Sequence, residues 1–126
     1  MSEAWYVART RPRAEHRAKD GLERGGMECF LPTVAAHSPG PGVQDDPLFP
    51  GYLFVRYDHS RSGTTPLRQV PEIAGLVAFG GEVPAVPDEI MSDLRQQVEA
   101  INGRGGLFHD IRPGDHVWVR LGAKAP

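Results

Sequence analysis

The stretch "DDPLFPGYLFVRYD", residues 45–58, is unusually rich in apolar side chains. Seven of the ten positions from 48 to 57 hold large apolar side chains, and only a Pro50-Gly51 turn signal and Arg56 interrupt them. Side chains alternate between the two faces of a strand, so one face is predicted to hold Leu53, Val55 and Tyr57, and the other Tyr52, Phe54 and Arg56. If the first face is core, the second presents two aromatic rings and an arginine to water or to a partner.

The length and composition indicate a single domain. A chain of 126 residues buries roughly 65% of its unfolded surface and folds without cross-links. Cys29 is the one cysteine, so no disulfide within the chain is possible. No apolar run approaches the roughly 20 residues that a membrane span needs, and no charged and apolar leader begins the chain. We therefore expect a cytoplasmic protein without a membrane contact.

The charge distribution narrows the functional classes. The formal net charge is −2, which argues against a protein that coats nucleic acid indiscriminately, because such proteins need a surplus of basic side chains. Residues 9–19, "RTRPRAEHRAK", nevertheless hold five basic side chains against one acidic side chain. Any contact with nucleic acid is therefore expected in this basic segment.

Three elements and a loop are predicted on the N-terminal side of the opening stretch. Residues 5–9 are rich in strand formers, and a helix follows with Pro12 in its first turn and Gly25-Gly26 at its end. Residues 27–34 form a second strand, with Met27, Cys29 and Leu31 on one face. Residues 35–47 have no periodicity and contain Pro-Gly-Pro-Gly, so they are predicted to form a long exposed loop.

The C-terminal half adds strands and one clear helix. Residues 51–57 are the third strand, a polar turn with one short helix follows, and residues 75–81, "GLVAFGG", are the fourth strand. A helix then begins near Pro87 and ends at Asn102-Gly103, with an apolar stripe spaced at four, four and three residues: Ile90, Leu94, Val98 and Ile101. After the linker "GRGG" (103–106), residues 111–126 begin a new β segment. This order predicts an α+β fold, a mostly antiparallel four-stranded sheet with helices packed on one face.

The sequence contains no recognisable catalytic or metal-binding pattern. The five histidines are scattered, and the two His and two Asp of "HDIRPGDH" (109–116) have no spacing that fixes a coordination geometry. Cys29 lies in an apolar strand, where a thiol is usually a buried hydrophobe. The paired glycines match no phosphate-binding loop. We therefore expect no enzyme, no cofactor, no metal and no small-molecule substrate.

Three surface features remain as candidate sites. They are the face of Tyr52 and Phe54, the basic segment 9–19, and the hydroxyl-rich turn "SGTTP" (62–66). Taken alone, the arginines are a solvated helix face and "SGTTP" is a turn. The aromatic face is the most informative of the three, because aromatic side chains carry a large share of interface energy.

The sequence resembles the N-terminal domain of the NusG/RfaH family of transcription elongation factors. The resemblance is carried in order by "WYVARTRPRAEHRAKDGLER" (5–24), "ECFLP" (28–32), "PLFPGYLFVRYD" (47–58), "GLVAFGG" (75–81) and "VPDEI" (86–90). It covers residues 5 to about 102, and "LFPGYLFV" is its most specific element. "RPGDHVWVRLG" (112–122) resembles the opening of the KOW domain that follows in the family. The implied domains are 1–102 as the polymerase-binding domain, 103–112 as a linker and 113–126 as the start of a KOW domain.

The resemblance implies two contacts with bacterial RNA polymerase. An exposed apolar patch in this family docks on the clamp helices of the β′ subunit, and Tyr52, Phe54, Phe79 and Met91 stand at matching positions. Gly63, Thr64 and Thr65 match the segment that RfaH uses against the gate loop of the β subunit. Bridging the two subunits would hold the clamp closed and reduce pausing and termination without covalent chemistry.

The resemblance also implies a contact with the non-template single-stranded DNA of the transcription bubble, through Arg11, Arg17 and Arg24. Pro12, Gly21 and Pro71 stand where RfaH carries an arginine, a histidine and an arginine, so a different pause-site sequence is expected. The ungapped spacing between "FPGYLFVRYD" and "AFGG" favours a specialised, operon-selective paralogue, closest to RfaH. The alternative is a small α+β ligand-binding or regulatory module, which covered Tyr52 and Phe54 rings and a closed polar pocket would favour.

Overall fold

The computed structural model describes residues 3–36 and 40–103. It contains two compact units, one formed by residues up to Leu31 with Pro50–Asp88, the other by Pro32–Phe49 and the described residues from Glu89. In chain order the elements are β1 (Ala4–Thr10), α1 (Glu15–Arg24), β2 (Glu28–Phe30), β3 (Thr33–Val34), β4 (Asp46–Pro47), β5 (Tyr52–Tyr57), α2 (His59–Ser62), α3 (Thr65–Arg68), β6 (Ile73–Leu76) and α4 (Asp88–Gly103).

The first unit is built on a four-stranded sheet of order β2-β5-β1-β6. Each of its three strand pairs is antiparallel, as the sequence predicted. The opening stretch supplies β5, an interior strand that pairs with β1 on one side and β2 on the other. The register sets Val7 opposite Phe54 and Arg9 opposite Tyr52. Directly opposite residues share a face of an antiparallel sheet, so this register decides which side chains can form a common surface.

One face of this sheet forms the hydrophobic core. Alternation places Leu53, Val55 and Tyr57 on this face, as predicted, and α1 packs its Ala18 and Leu22 against them. Met27, Cys29 and Leu31 belong to the same core, which confirms the face predicted for the second strand. The remaining members of this buried cluster are Tyr6, Ala8, Leu67, Val70, Ile73 and Leu76.

The first helix begins later than the sequence predicts. Pro12 lies in a turn before the helix, and Arg13 has a φ of 59°, a left-handed conformation that cannot continue an α-helix. The helix therefore starts at Glu15, so the prediction of Pro12 in its first turn is wrong. Its end agrees with the prediction, because the Gly25 and Gly26 amides cap the last turn through the carbonyl oxygens of Gly21, Leu22 and Glu23.

In the second unit a two-stranded ribbon of β3 and β4 accompanies α4. Asn102 joins them, since its side-chain amide donates to the Thr33 carbonyl (3.0 Å) and its oxygen accepts from the Ala35 amide (3.1 Å). Met91, Leu94, Val98 and Ile101 are the buried residues of α4. The predicted helix is confirmed, but Met91 takes the place predicted for Ile90, which is half-buried. The prediction that residues 35–47 are all loop is wrong at its end, because Asp46–Pro47 pair with Thr33–Val34.

The strand predicted at residues 75–81 is shifted and shorter. β6 covers Ile73–Leu76, and Phe79 and Glu82 then form a separate bridge. Two short helices, α2 and α3, replace the single one predicted between β5 and β6. The linker was predicted from residue 103, and Gly103 is the last residue of α4. The rest of the predicted linker and the predicted KOW segment lie outside the described residues. Within the described ranges, no helix has the length and apolar character required to cross a bilayer.

Candidate functional site

The candidate site is the face of the four-stranded sheet opposite the core, here called the second face. The strand register assigns to it the alternate residues of β1, β2 and β5: Trp5, Val7, Arg9, Glu28, Phe30, Tyr52, Phe54 and Arg56. This face is therefore mostly aromatic and apolar, with two arginines, as the alternation in the opening stretch predicted.

The four residues expected to bind the clamp helices differ in how exposed their side chains are. Phe79 is 36% exposed and Tyr52 is half-buried, whereas Phe54 is 0% exposed and Met91 is 2% exposed. The expectation of an exposed Phe54 is therefore wrong. Its ring lies on an interior strand, with the Phe30 ring at 6.2 Å on one side and Val7 opposite it on the other. Tyr52 and Phe79 are the two members of this set that reach the surface.

A tight hairpin positions Phe79. Phe79 and Glu82 exchange both backbone hydrogen bonds, at 2.8 and 3.0 Å. Gly80 and Gly81 between them have φ values of 59° and 85°, the positive pair that a type I′ turn requires. Two glycines adopt this conformation without steric cost, so the "FGG" sequence explains why an aromatic ring is held at the surface here.

A buried carboxylate connects α1 to the turn that precedes β5. Glu15 is only 6% exposed, and its Oε2 accepts a hydrogen bond from the Gly51 amide at 2.8 Å. Gly51 has a φ of 89°, as the third residue of a type II turn after Pro50 requires. Glu15 was not predicted as part of the site, because its only signal in the sequence is its place as an acidic residue near the start of the helix. The contact fixes the start of α1 relative to Tyr52.

The three arginines expected to contact DNA are all exposed. Arg17 and Arg24 lie on α1, whereas Arg11 precedes it and its Nε donates to the Pro71 carbonyl at 2.8 Å. Lys19 on the same helix is paired with Glu23 at 3.1 Å. Among the described residues, Arg17 and Arg24 form no ion pair, so their charges are available to an anionic partner.

The segment expected to contact the gate loop is fixed to β5 through Tyr57. The Tyr57 hydroxyl donates to the Gly63 carbonyl at 2.6 Å and lies 2.8 Å from His59 Nδ1, which therefore donates to it. Burial, with a smaller contribution from nearby Tyr6, raises the pKa of Tyr57 to about 12. Gly63 has a φ of 60°, while Thr64 is half-buried and Thr65 exposed. The three residues of the segment thus lie at the surface on a supported backbone.

Among the described residues, neither a metal-binding cluster nor a reactive thiol is found. No group of three or more His, Cys, Asp or Glu side chains is close enough there to hold a metal ion. Burial, assisted by Glu23, raises the pKa of Cys29 to about 12, so its thiol is protonated at neutral pH and a poor nucleophile. An open groove of about 550 Å³ is lined by residues that include Arg56, Glu3 and Glu28, and Arg56 pairs with both glutamates.

Comparison with known proteins identifies a family and a similar solved structure. The family model described as "Transcription termination factor nusG" matches residues 3–95. The structure titled "Domain interaction in Thermotoga maritima NusG" is similar with a TM-score of 0.60 and 24% sequence identity. That match covers 79% of this chain and 59% of the Thermotoga maritima chain, so this chain spans less than two thirds of it. At this identity the structural likeness shows the fold alone.

Proposed function

Because this chain belongs to the NusG family of non-enzymatic transcription factors, we propose that it binds elongating bacterial RNA polymerase and reduces pausing and termination. The contact is made with the clamp helices of the β′ subunit. It uses the accessible end of the second face, at Tyr52, together with Phe79, and these are the two aromatic side chains that touch the partner. Phe54 and Met91 are buried and are not part of the exposed surface.

One observation carries the proposal: Phe79 is 36% exposed on a tight hairpin, whereas most large apolar side chains of the described residues are buried. Val43 is the other large hydrophobic residue that is exposed in the described ranges, and it lies in a loop. Aromatic side chains that are exposed on a fixed backbone are typical interface anchors, because little conformational entropy is lost when they bind.

A second contact completes the proposal. Gly63, Thr64 and Thr65 lie at the surface, supported by the Tyr57 hydroxyl. They are proposed to meet the gate loop of the β subunit, so that one protein bridges both sides of the cleft. A bridged clamp opens less readily, and pausing and termination that depend on its opening become slower.

A third proposed contact is with the non-template DNA strand. Arg11, Arg17 and Arg24 are exposed and are proposed to hold the non-template strand through its phosphates. The family resemblance of the "FPGYLFVRYD" to "AFGG" segment supports a specialised, RfaH-like member that serves selected operons.

The experiment is competition binding to a reconstituted bacterial elongation complex, with NusG as the competitor. Tyr52→Ala and Phe79→Ala are each expected to weaken binding at least about tenfold, as aromatic hot spots do. Val43→Ala is the matched control, since it removes an exposed apolar side chain elsewhere and should leave the affinity within twofold. Full affinity in both aromatic variants, or no displacement by NusG, would overturn the clamp contact.

A further inference from the structure

Arg9 occupies the exposed end of the second face. It lies opposite Tyr52 in β5 and opposite Gly75 in β6, so it is flanked on both sides by strands of the sheet. The preceding residues of β1 on this face, Trp5 and Val7, are only 5% and 9% exposed. Arg9 itself is exposed. The face therefore changes along β1 from buried apolar side chains to one accessible guanidinium group beside Tyr52.

The sheet holds this guanidinium close to its surface. The register between β1 and β6 shifts between Arg9 and Thr10, and such a bulge redirects the side chains around it. The Arg9 Nη2 atom lies 3.2 Å from the place where a Cβ on Gly75 would stand. Because Gly75 has no side chain, the guanidinium group rests over the β6 backbone. A side chain held in this way loses less entropy when a partner binds it.

The charge of Arg9 has no counter-ion within the described part of the chain. The other arginine of the second face, Arg56, pairs with Glu3 at 3.1 Å and with Glu28 at 3.5 Å. No such ion pair involves Arg9. The two arginines thus differ: the charge of Arg56 is neutralised from within, and that of Arg9 is left to the solvent.

We infer that the protein partner of the second face presents a carboxylate side chain to Arg9, so that its docking surface is apolar with one acidic group. This inference rests on the proposed function and states the chemistry of the partner surface. An interface that covers Tyr52 removes water from Arg9, and a desolvated guanidinium without a counter-charge opposes binding. A carboxylate satisfies its planar N–H groups with two parallel hydrogen bonds.

The test compares Arg9→Gln, Arg9→Glu and Arg9→Lys with the wild-type chain, in binding to core RNA polymerase without nucleic acid and to the elongation complex. Arg9→Gln should weaken binding about tenfold in both, and Arg9→Glu should weaken it further because like charges then face each other. The affinity of Arg9→Gln should also depend less on salt, whereas Arg9→Lys should retain the wild-type salt dependence. Arg68→Gln, which removes an exposed charge on α3 outside the second face, is the matched control, with an expected change below twofold.

Two results would overturn the inference. Arg9→Glu that binds core polymerase as tightly as the wild-type chain would show that no carboxylate faces Arg9. A loss that occurs only in the elongation complex would assign Arg9 to a DNA phosphate. The proposed function fails separately: if the wild-type chain does not bind, or if Tyr52→Ala and Phe79→Ala bind normally, the clamp contact itself is wrong. Urea unfolding of each variant controls for loss of the fold.

Discussion

Phe54 and Phe79 are the same residue type in opposite environments, 0% and 36% exposed. Removing a fully buried phenylalanine side chain leaves a cavity and costs about 3–5 kcal/mol, whereas truncation at the surface costs less than about 1 kcal/mol. We therefore expect Phe54→Ala to lower the free energy of unfolding severely and Phe79→Ala to leave it nearly unchanged. Urea titrations measure both. Equal stabilities would mean that Phe54 is not enclosed in solution.

The Cys29 thiol is expected to make the fold less stable at alkaline pH. Burial raises the pKa of its thiol from 9.0 to about 12. Between these values the unfolded chain releases a proton that the folded chain retains, so the free energy of unfolding falls as the pH rises. The contribution is fully present below pH 9. Urea titrations from pH 8 to pH 11 should show a smaller decline in Cys29→Ser. An identical decline in both proteins would contradict the raised pKa.

The sequence predicted those features of the strands and helices that depend on local periodicity. Alternation in β5 assigned Leu53, Val55 and Tyr57 to the core. The helical spacing in α4 identified Leu94, Val98 and Ile101 of its buried stripe, but placed Ile90 where Met91 is buried. Alternation predicts which residues share a face of a strand, but it does not predict which other residues cover that face. The full burial of Phe54 was missed for this reason, although its face was predicted correctly.

The errors in element boundaries have local conformational causes. The start of α1 was placed too early because Pro12 suits a first turn, whereas the left-handed backbone of Arg13 delays the helix to Glu15. β4 was missed because Pro47 is a poor strand former, and a proline is tolerated only at the edge of a ribbon this short. The Glu15–Gly51 hydrogen bond joins residues that are distant in sequence, so no local pattern predicted it.

The Tyr57 hydroxyl joins β5 to Gly63, which lies between α2 and α3. Tyr57→Phe keeps the edge contact with Tyr6, whose ring lies at 5.6 Å, and removes the hydrogen bonds to Gly63 and His59. We expect the free energy of unfolding to fall by about 0.5–1.5 kcal/mol. We also expect faster amide hydrogen exchange at residues 63–65. Tyr6→Phe is the control and should leave this exchange unchanged. Unchanged exchange in Tyr57→Phe would show that the hydroxyl does not support this segment.

Basic and acidic side chains are unevenly distributed along the whole chain. The net charge is −2, yet residues 9–19 hold five basic side chains against one acidic side chain. The rest of the chain therefore carries a formal net charge of −6 (−2 minus +4), which opposes binding to nucleic acid, whereas the basic segment favours it. DNA alone is therefore expected to bind weakly. Binding should become measurable when polymerase contacts place the basic segment beside the strand.

This separation gives a prediction for the elongation complex. Arg17→Ala removes an exposed charge with no ion pair in the described ranges, so it should weaken the DNA-dependent part of binding. It should also flatten the plot of log affinity against log salt by roughly 0.7, the value for one phosphate on a single strand. Lys19→Ala, on the same helix, is the control: Lys19 is already paired with Glu23, so its loss should change the slope less. Affinities measured with and without the non-template strand separate this contribution from polymerase contacts. Equal slopes for wild-type and Arg17→Ala chains would remove α1 from the DNA contact.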